Sequence, residues 1–317
     1  MNRRIALFLM VLIIINLSGC GTKKNENNNT NNGNNTTNNQ TGEAQNNANT
    51  GNNADTTQNA ASGNGSSGGK ATAVTIDEKI LYDQKGIKIT ATSLKEDTFL
   101  GPEINLLIEN NTNTDVTVQA RDVSVNNLMI EPTFSSDVAA GKKANDSISF
   151  LQDDLERNAI DKIATVELRF IIFNTDTLDT ITESDMITIN TSAKESYVQS
   201  YDDSGKVLFD KGKVRIIEKG LASDEFLGPE IKVYIENNSD KFITVQTQNV
   251  SVNGYMVEPI FSSDLAPGKK VNDGITFMDL ADNGIDKISN VELTFIIFDA
   301  NTLDTITESD VIKLSYQ

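Results

Sequence analysis

The sequence has no histidine, no tryptophan and only one cysteine in 317 residues. Without histidine, the Ser–His and Cys–His pairs of nucleophilic hydrolases are excluded, and so are ordinary zinc sites. With one cysteine, no disulfide can form within the chain, so any folded domain depends on its apolar core. Only carboxylates, amines and hydroxyls remain for catalysis. We therefore predict that the protein is not an enzyme, with a carboxylate-based enzyme acting on polysaccharide as the most distant alternative.

The chain is also poor in positive charge. It has 27 lysines and arginines against 45 acidic residues, a formal charge of −18, and residues 71–317 alone carry about −20. A field of this sign repels phosphate backbones. We therefore exclude nucleic acid as a partner.

The longest apolar run is short. It covers the eleven residues from Ile5 to Ile15 and follows Arg3 and Arg4. As a helix it would measure about 16 Å, against roughly 30 Å for the hydrocarbon core of a bilayer. The pattern is typical of a secretory signal in residues 1–19 and not of a membrane span.

Leu17-Ser18-Gly19-Cys20 follows this run. The motif resembles the lipobox of bacterial lipoproteins, in which the cysteine becomes the lipidated N-terminus of the mature protein. The resemblance implies a diacylglycerol on Cys20. From the side chains of the rest of the chain, we expect no other cofactor and no metal. It also implies a membrane contact through the lipid and extracellular domains on the outer face of the cytoplasmic membrane. An ordinary secretory signal with an incidental cysteine is the alternative.

Residues 20–70 are of low complexity, and the part from Gly21 to Lys70 contains seventeen asparagines and no large apolar residue. Such a segment cannot bury enough apolar surface to offset the entropy of ordering. We predict a disordered tether with a typical span of about 40 Å. An aggregating, prion-like tract is the alternative, which the absence of aromatic residues disfavours.

The remaining chain repeats itself. Phe99-Leu100-Gly101-Pro102-Glu103 recurs 127 residues later as Phe226 to Glu230, and beyond Asp154 the offset falls to 125. The two additional residues near Leu151 to Asp153 mark a surface turn, because insertions fall in loops. We place repeat 1 at residues 77–190, a polar linker at 191–204 and repeat 2 at 205–317. The linker would let the repeats move unless its tyrosines, Tyr197 and Tyr201, dock them.

Each repeat has the pattern of a β domain. Ile104, Leu106 and Ile108 alternate with more polar residues, as in a half-buried strand. A change of parity near Ala120 to Asp122 predicts a bulge. Asn253-Gly254 and the matching Asn126-Asn127 predict two-residue hairpins. We expect Phe99 and Leu100 to cover the end of a sandwich, with Gly101-Pro102 shaping the turn.

Seven or eight short strands for each repeat predict an all-β fold of two tandem Greek-key sandwiches. The segment Glu103 to Asn111, the Val123-Ser-Val-Asn126 motif and the following Glu131-Pro132 and Phe134 to Asp137 resemble immunoglobulin-like, telokin-like domains of secreted bacterial lipoproteins. The resemblance implies a fold and no active site. The chain lacks the cysteine and tryptophan of the usual immunoglobulin core.

Three groups of residues are candidates for contacts. Outward-facing apolar residues near the end of one strand in each repeat form a candidate contact patch, which a loop, the other repeat or a partner would cover: Ile171, Phe173, Ile296 and Phe298. Paired lysines form a candidate anion contact, against the simpler interpretation of a solvated turn: Lys142, Lys143, Lys269 and Lys270. Carboxylates in one loop are weak calcium candidates without EF-hand spacing: Asp279, Asp282 and Asp286.

These observations favour a lipid-anchored surface protein that acts as a non-catalytic binding, adhesion or structural module of the envelope. Its partners would be the membrane, a cell-wall polymer or another envelope protein. The alternative is an accessory envelope lipoprotein that senses or presents a ligand, calcium included.

Overall fold

The computed structural model describes residues 73–224, 228–278 and 280–317, all of which belong to one compact unit, Gly68–Gln317. The predicted signal segment, Cys20 and the tether lie outside the described residues, as do Phe226 and Asp279. No helix in the described ranges is long and apolar enough to cross a membrane.

Repeat 1 consists of ten strands and one short helix. They are β1 (Lys79–Gln84), β2 (Ile87–Lys95), β3 (Glu103–Asn110), β4 (Val116–Val125), β5 (Leu128–Met129), β6 (Ser135–Val138), β7 (Lys143–Ser149), α1 (Gln152–Arg157), β8 (Thr165–Asn174), β9 (Thr180–Glu183) and β10 (Ile187–Asn190).

Repeat 2 has the same order of strands. They are β11 (Lys206–Lys211), β12 (Val214–Asp224), β13 (Gly228–Asn237), β14 (Ile243–Val252), β15 (Tyr255–Met256), β16 (Ser262–Leu265), β17 (Lys270–Thr276), β18 (Asn290–Asp299), β19 (Thr305–Glu308) and β20 (Ile312–Ser315). A 3₁₀ turn at Ala281–Asn283 takes the place of α1. The two additional residues of repeat 1 thus fall where its turn is a full helix.

Each repeat is a two-layer sandwich. In repeat 1, the sheet β1-β2-β3-β7 packs on a sheet in which β4 and β8 are central, and in repeat 2 the sheet β11-β12-β13-β17 packs on one built around β14 and β18. The chain changes layers after β3, after β6 and after β7, and again at the corresponding points of repeat 2. The prediction of two all-β, immunoglobulin-like Greek-key sandwiches is confirmed.

The strand patterns and turns agree with the sequence. Ile104, Leu106 and Ile108 of β3 are buried, and the residues between them are partly exposed. The predicted bulge is present in β4, where the register with β8 shifts after Arg121. Asp122 there has a φ of 53°. A left-handed residue of this kind increases the local twist and reverses the parity of the strand.

Both predicted hairpins are also present. Asn126 and Asn127 have φ angles of 51° and 68° between β4 and β5, and Asn253 and Gly254 have 51° and 87° between β14 and β15. Two successive positive φ angles are the mark of a type I′ turn, which asparagine and glycine tolerate best.

The prediction for the Phe99-Leu100 segment is wrong. Phe99 is 101% exposed and Leu100 is 48% exposed, so neither side chain covers the sandwich. The glycine of the motif explains the local structure. Gly101 has a φ of 131°, and a Cβ placed on it would lie 2.2 Å from the carbonyl oxygen of Phe150. The motif therefore allows two backbone segments to approach closely, as only glycine can.

Candidate functional site

The two repeats share one sheet. The short strand β5 of repeat 1 lies parallel to β17 of repeat 2, with Leu128 paired to Lys270. The backbone N–H of Lys270 donates to the carbonyl oxygen of Asn127 at 3.0 Å. Through this contact, the β4–β8 sheet of repeat 1 continues into β17, β13, β12 and β11, and forms a ten-stranded sheet. We call the contact between the repeats the junction.

A buried lysine ties the junction together. Lys269, at the β16–β17 turn, is only 9% exposed and forms an ion pair with Glu167 of β8. Its ammonium also donates to Oδ1 of Asn127 at 2.9 Å. A charge this far from water needs such partners, because an unpaired buried ammonium is strongly destabilising.

Lys270 contacts two aromatic rings at the same junction. Its ammonium donates to Oε1 of Glu236 at 2.6 Å and lies 5.2 Å from the ring centroid of Tyr201 and 5.8 Å from that of Tyr234. Burial alone would raise the pKa of Glu236, but the hydrogen bond and charge of Lys270 outweigh it, and the net pKa is lowered. Burial and the neighbouring carboxylate raise the pKa of the Tyr234 hydroxyl. Both groups thus keep their ordinary charge states at neutral pH.

The linker is docked on both repeats. The hydroxyl of Tyr201 donates to the carbonyl oxygen of Asn126 at 2.8 Å, and the ring packs against the core of repeat 1. Asp202 pairs with Lys219 of β12 at 2.7 Å, and the same ammonium donates to the carbonyl oxygen of Ser204 at 2.6 Å. The tyrosine therefore docks the linker, one of the two outcomes that the sequence left open.

Apolar and cation–π contacts complete the junction. Ile217 and Tyr234 of repeat 2 are fully buried and join the core cluster of repeat 1, and Met129 of repeat 1 packs against the core of repeat 2. The guanidinium of Arg169 lies over the ring of Phe242 at 5.1 Å. The junction therefore combines hydrophobic burial with ion pairs, as stable domain interfaces do.

A cleft of about 630 Å³ opens beside the junction, between α1, the end of the linker and the face of β12 and β13. Its charged side chains are of both signs: Asp153, Glu156, Arg157, Asp202, Lys219, Glu230, Lys232 and Asp273. Several of them pair with one another, as Arg157 does with Glu230 at 3.5 Å. The five carboxylates and three cations leave a small excess of negative charge, which disfavours an anionic ligand in the cleft.

Two carboxyl groups near the cleft are poorly solvated. Burial raises the pKa of Asp273, although hydrogen bonds to its carboxylate and the charge of Arg157 oppose the shift. Burial likewise raises the pKa of Asp154, and Arg157 again opposes it. In both cases the cost of desolvating the carboxylate exceeds the stabilisation by its neighbours.

The structure separates the four candidate anion-contact lysines. Lys269 and Lys270 are neutralised inside the junction, as described above. Lys143 pairs with Glu109, and Lys142 is exposed at its turn. Only the pair in repeat 1 is therefore placed where an external anion could reach it, and an anion contact there stays a prediction.

The candidate contact patch does not form one surface. Ile171 and Phe173 lie on β8, and Ile296 and Phe298 lie on β18, which belongs to a different sheet. Each pair is half-buried or buried, and β9 and β19 lie alongside them. Arg169, on the same face of β8 as Ile171, contacts Phe242 of repeat 2.

Of the calcium candidates, Asp282 lies in the 3₁₀ turn and Asp286 follows it. Within the ranges described, no group of three or more acidic or thiol side chains is arranged to hold a metal ion. Asp279 is outside those ranges, as is the lipidation candidate Cys20.

Sequence reasoning missed the junction, although a signal for it exists in the differences between the repeats. Ile217, Tyr234 and Phe242 of repeat 2 replace Thr90, Leu107 and Asp115 of repeat 1. Such a gain of apolar and aromatic residues indicates that one face of repeat 2 is covered. The ion pair of Lys269 leaves no such signal, because Lys142 and Lys143 repeat the same local sequence.

No protein-family model and no curated protein matches the chain. Among solved structures, the chain is similar to the YadV chaperone, with 10% identity, a TM-score of 0.23 and coverage of 68% of this chain and 92% of that one.

Two further structures have similar scores. They are the CsuC–CsuE chaperone–tip adhesion subunit complex of Acinetobacter baumannii (13% identity, TM-score 0.20, 67% and 90% covered) and red sea bream transglutaminase (12%, 0.19, 76% and 31%). TM-scores this low carry no argument about binding or activity. The immunoglobulin-like assignment rests on the strands and sheets of this chain.

Proposed function

We propose that the protein is a lipid-anchored surface component whose two repeats act together as a rigid, non-catalytic binding or structural module of the envelope. The observation that carries the proposal is the shared sheet. Two sandwiches joined by a continuous sheet and a buried ion pair form one stiff body, which suits a spacer or a binding platform better than a catalytic cleft with moving domains.

The anchor rests on the residues before the repeats. The basic Arg3 and Arg4, the short apolar run and the Leu17-to-Cys20 motif have the order of a lipoprotein signal. Two acyl chains on Cys20 would give a stable membrane attachment where one would be marginal. The asparagine-rich segment would then hold the repeats away from the bilayer, where a wall polymer or an envelope protein is within reach.

The anchor is tested by labelling cells with a palmitate analogue. We expect the wild-type chain to incorporate the label and to fractionate with membranes, and Cys20→Ala to do neither. A control substitution in the same motif, Ser18→Ala, keeps a small residue before the cysteine and should leave labelling intact. Equal labelling of the wild type and Cys20→Ala would refute the anchor.

The binding or structural role is tested separately, on isolated cell-wall material. We expect the full chain to be retained, and we expect a variant with an opened junction, Lys269→Glu, to be retained less well. Retention that is unchanged in Lys269→Glu would show that the rigid arrangement of the repeats is not needed for binding.

A further inference from the structure

The junction uses one surface from each repeat, and each surface has a counterpart in the other repeat. The hairpin strand β5 of repeat 1 corresponds to β15 of repeat 2. Strand β17, at the edge of the four strands that repeat 2 contributes to the shared sheet, corresponds to β7 of repeat 1. In the part of the chain that the structure describes, β15 pairs only with β14. Within the same residues, β7 pairs with β3 on one side and is bridged on the other only at Ser149, by Thr133. Within the described residues, the counterpart hairpin β15 and the counterpart sheet edge of β7 are therefore unpaired.

In the unpaired hairpin β15, the counterparts of the residues that the junction buries are exposed. Leu128 of β5 is fully buried and Met129 is partly buried, whereas their counterparts Tyr255 and Met256 are 53% and 68% exposed. Two large apolar side chains beside an open strand edge form a surface that is suited to pairing with another chain.

The charged residues of the junction recur as well. Lys142 and Glu292 are the counterparts of Lys269 and Glu167. Lys142 is exposed, and Glu292 is half exposed and pairs only with the solvent-exposed Lys313 among the described residues. The edge of β7 thus presents a lysine, and the side of β15 presents the carboxylate that matches it.

We propose that copies of this protein join head to tail, with β15 of one copy lying parallel to the edge of β7 in the next, as β5 lies on β17 within the chain. The proposal goes beyond the proposed function and does not depend on the lipid anchor. The contact adds one strand to a sheet edge. Backbone hydrogen bonds would give the affinity, and the pair of Lys142 and Glu292 would set the register. Because the two surfaces differ, the contact is heterologous, and each added copy leaves a free hairpin at one end and a free sheet edge at the other, so copies add in series.

The contact between copies would be weaker than the junction. In the junction, Arg157 and Glu230 attract each other. Their counterparts in the contact between copies are Asp282 of one copy and Glu103 of the next, which repel each other. Asn127, whose side chain accepts from Lys269, corresponds to Gly254, which has no side chain to accept this hydrogen bond. We therefore expect reversible association that depends on concentration.

Disulfide trapping tests the geometry. In the full chain carrying Cys20→Ser, the double variant Lys143→Cys/Tyr255→Cys places cysteines at the positions equivalent to Lys270 and Leu128, and paired strands are about 4.8 Å apart. We expect mild oxidation to give a ladder of dimers, trimers and larger species on a non-reducing gel. Either single variant can form no species larger than a dimer.

The matched control is Leu128→Cys/Lys270→Cys, which should close a disulfide within one chain. A double variant that remains monomeric while this control closes overturns the proposal. So does a ladder in which mass spectrometry finds only disulfides between like positions, 143 with 143 and 255 with 255, because a head-to-tail contact joins unlike positions.

Charge reversal tests the register. By sedimentation velocity, Lys142→Glu and Glu292→Lys should each reduce association of the full Cys20→Ser chain by tenfold or more, and the two together should restore it. Lys211→Glu, on the far edge strand β11, has the same change of charge and should leave association unchanged. Failure of the combined variant to recover, or an equal loss in Lys211→Glu, contradicts the specific pairing.

Discussion

Replacing Lys269 by alanine should destabilise the protein and uncouple its repeats. The side chain of Lys269 is about nine-tenths buried, and that of its partner Glu167 is about three-quarters buried. Breaking a fully buried ion pair costs roughly 3 to 5 kcal/mol, because the remaining charge is left without a partner. Since a quarter of Glu167 is in contact with water, we expect a smaller loss, about 2 to 3 kcal/mol.

Urea and thermal unfolding of the full chain measure this loss. For a folded region of this size, 2 to 3 kcal/mol lowers the Tm by about 4 to 12 °C. We also expect the single transition to broaden or split, because the pair joins two sandwiches that each have their own core.

The repeat itself supplies the control. Lys142 has the same local sequence as Lys269 but is exposed, so Lys142→Ala should unfold like the wild type. A double-mutant cycle with Glu167→Gln isolates the interaction between the two charges. Equal effects of Lys269→Ala and Lys142→Ala would refute the reasoning, and so would a coupling energy near zero.

Three further predictions use the same unfolding measurements. Gly101→Ala should cost more than about 2 kcal/mol, because its Cβ would meet the carbonyl oxygen of Phe150, whereas Gly141→Ala, at a φ of 66° with open space around it, should cost about 1 kcal/mol. Tyr201→Phe should cost about 1 kcal/mol, because the hydroxyl that donates to Asn126 is lost while the ring remains over Lys270. Equal losses in Gly101→Ala and Gly141→Ala, or none in Tyr201→Phe, would contradict these contacts. Burial raises the pKa of Asp273 in the folded state, so the folded state binds this proton more tightly than the unfolded state does. The free energy of unfolding therefore falls as the pH rises above the pKa of an unfolded aspartate, about 4. Asp273→Asn should therefore gain stability relative to the wild type between pH 3 and pH 7, and a difference that does not change with pH would contradict this.

Much of the fold could be predicted because it depends on local patterns. The alternation in β3, the bulge after Arg121 and the hairpins at Asn126 and Asn253 each follow from a few neighbouring residues. The exposed Phe99 shows where this reasoning fails. A large apolar residue beside a turn suggests burial, but the close approach of Gly101 to the backbone at Phe150 sets the path of this turn, and Phe99 is left fully exposed.

The candidate site could not be predicted in the same way, because its parts are far apart in sequence. Lys269 and Glu167 are 102 residues apart, and Lys269 and Asn127 are 142 residues apart. Carboxylates and lysines in an acidic chain have many alternative partners, so local sequence cannot select the pair that is buried.

The sequence by itself determined the duplication, the β class of each repeat, the turn types and the absence of histidine and disulfide chemistry. These properties depend on composition and on residues close together in the chain. Only the tertiary structure decided which of two nearly identical surfaces is used. The Lys269-Lys270 turn is buried against β5 and the Lys142-Lys143 turn is exposed, because the linker brings the hairpin of repeat 1 onto one sheet edge and leaves the other open.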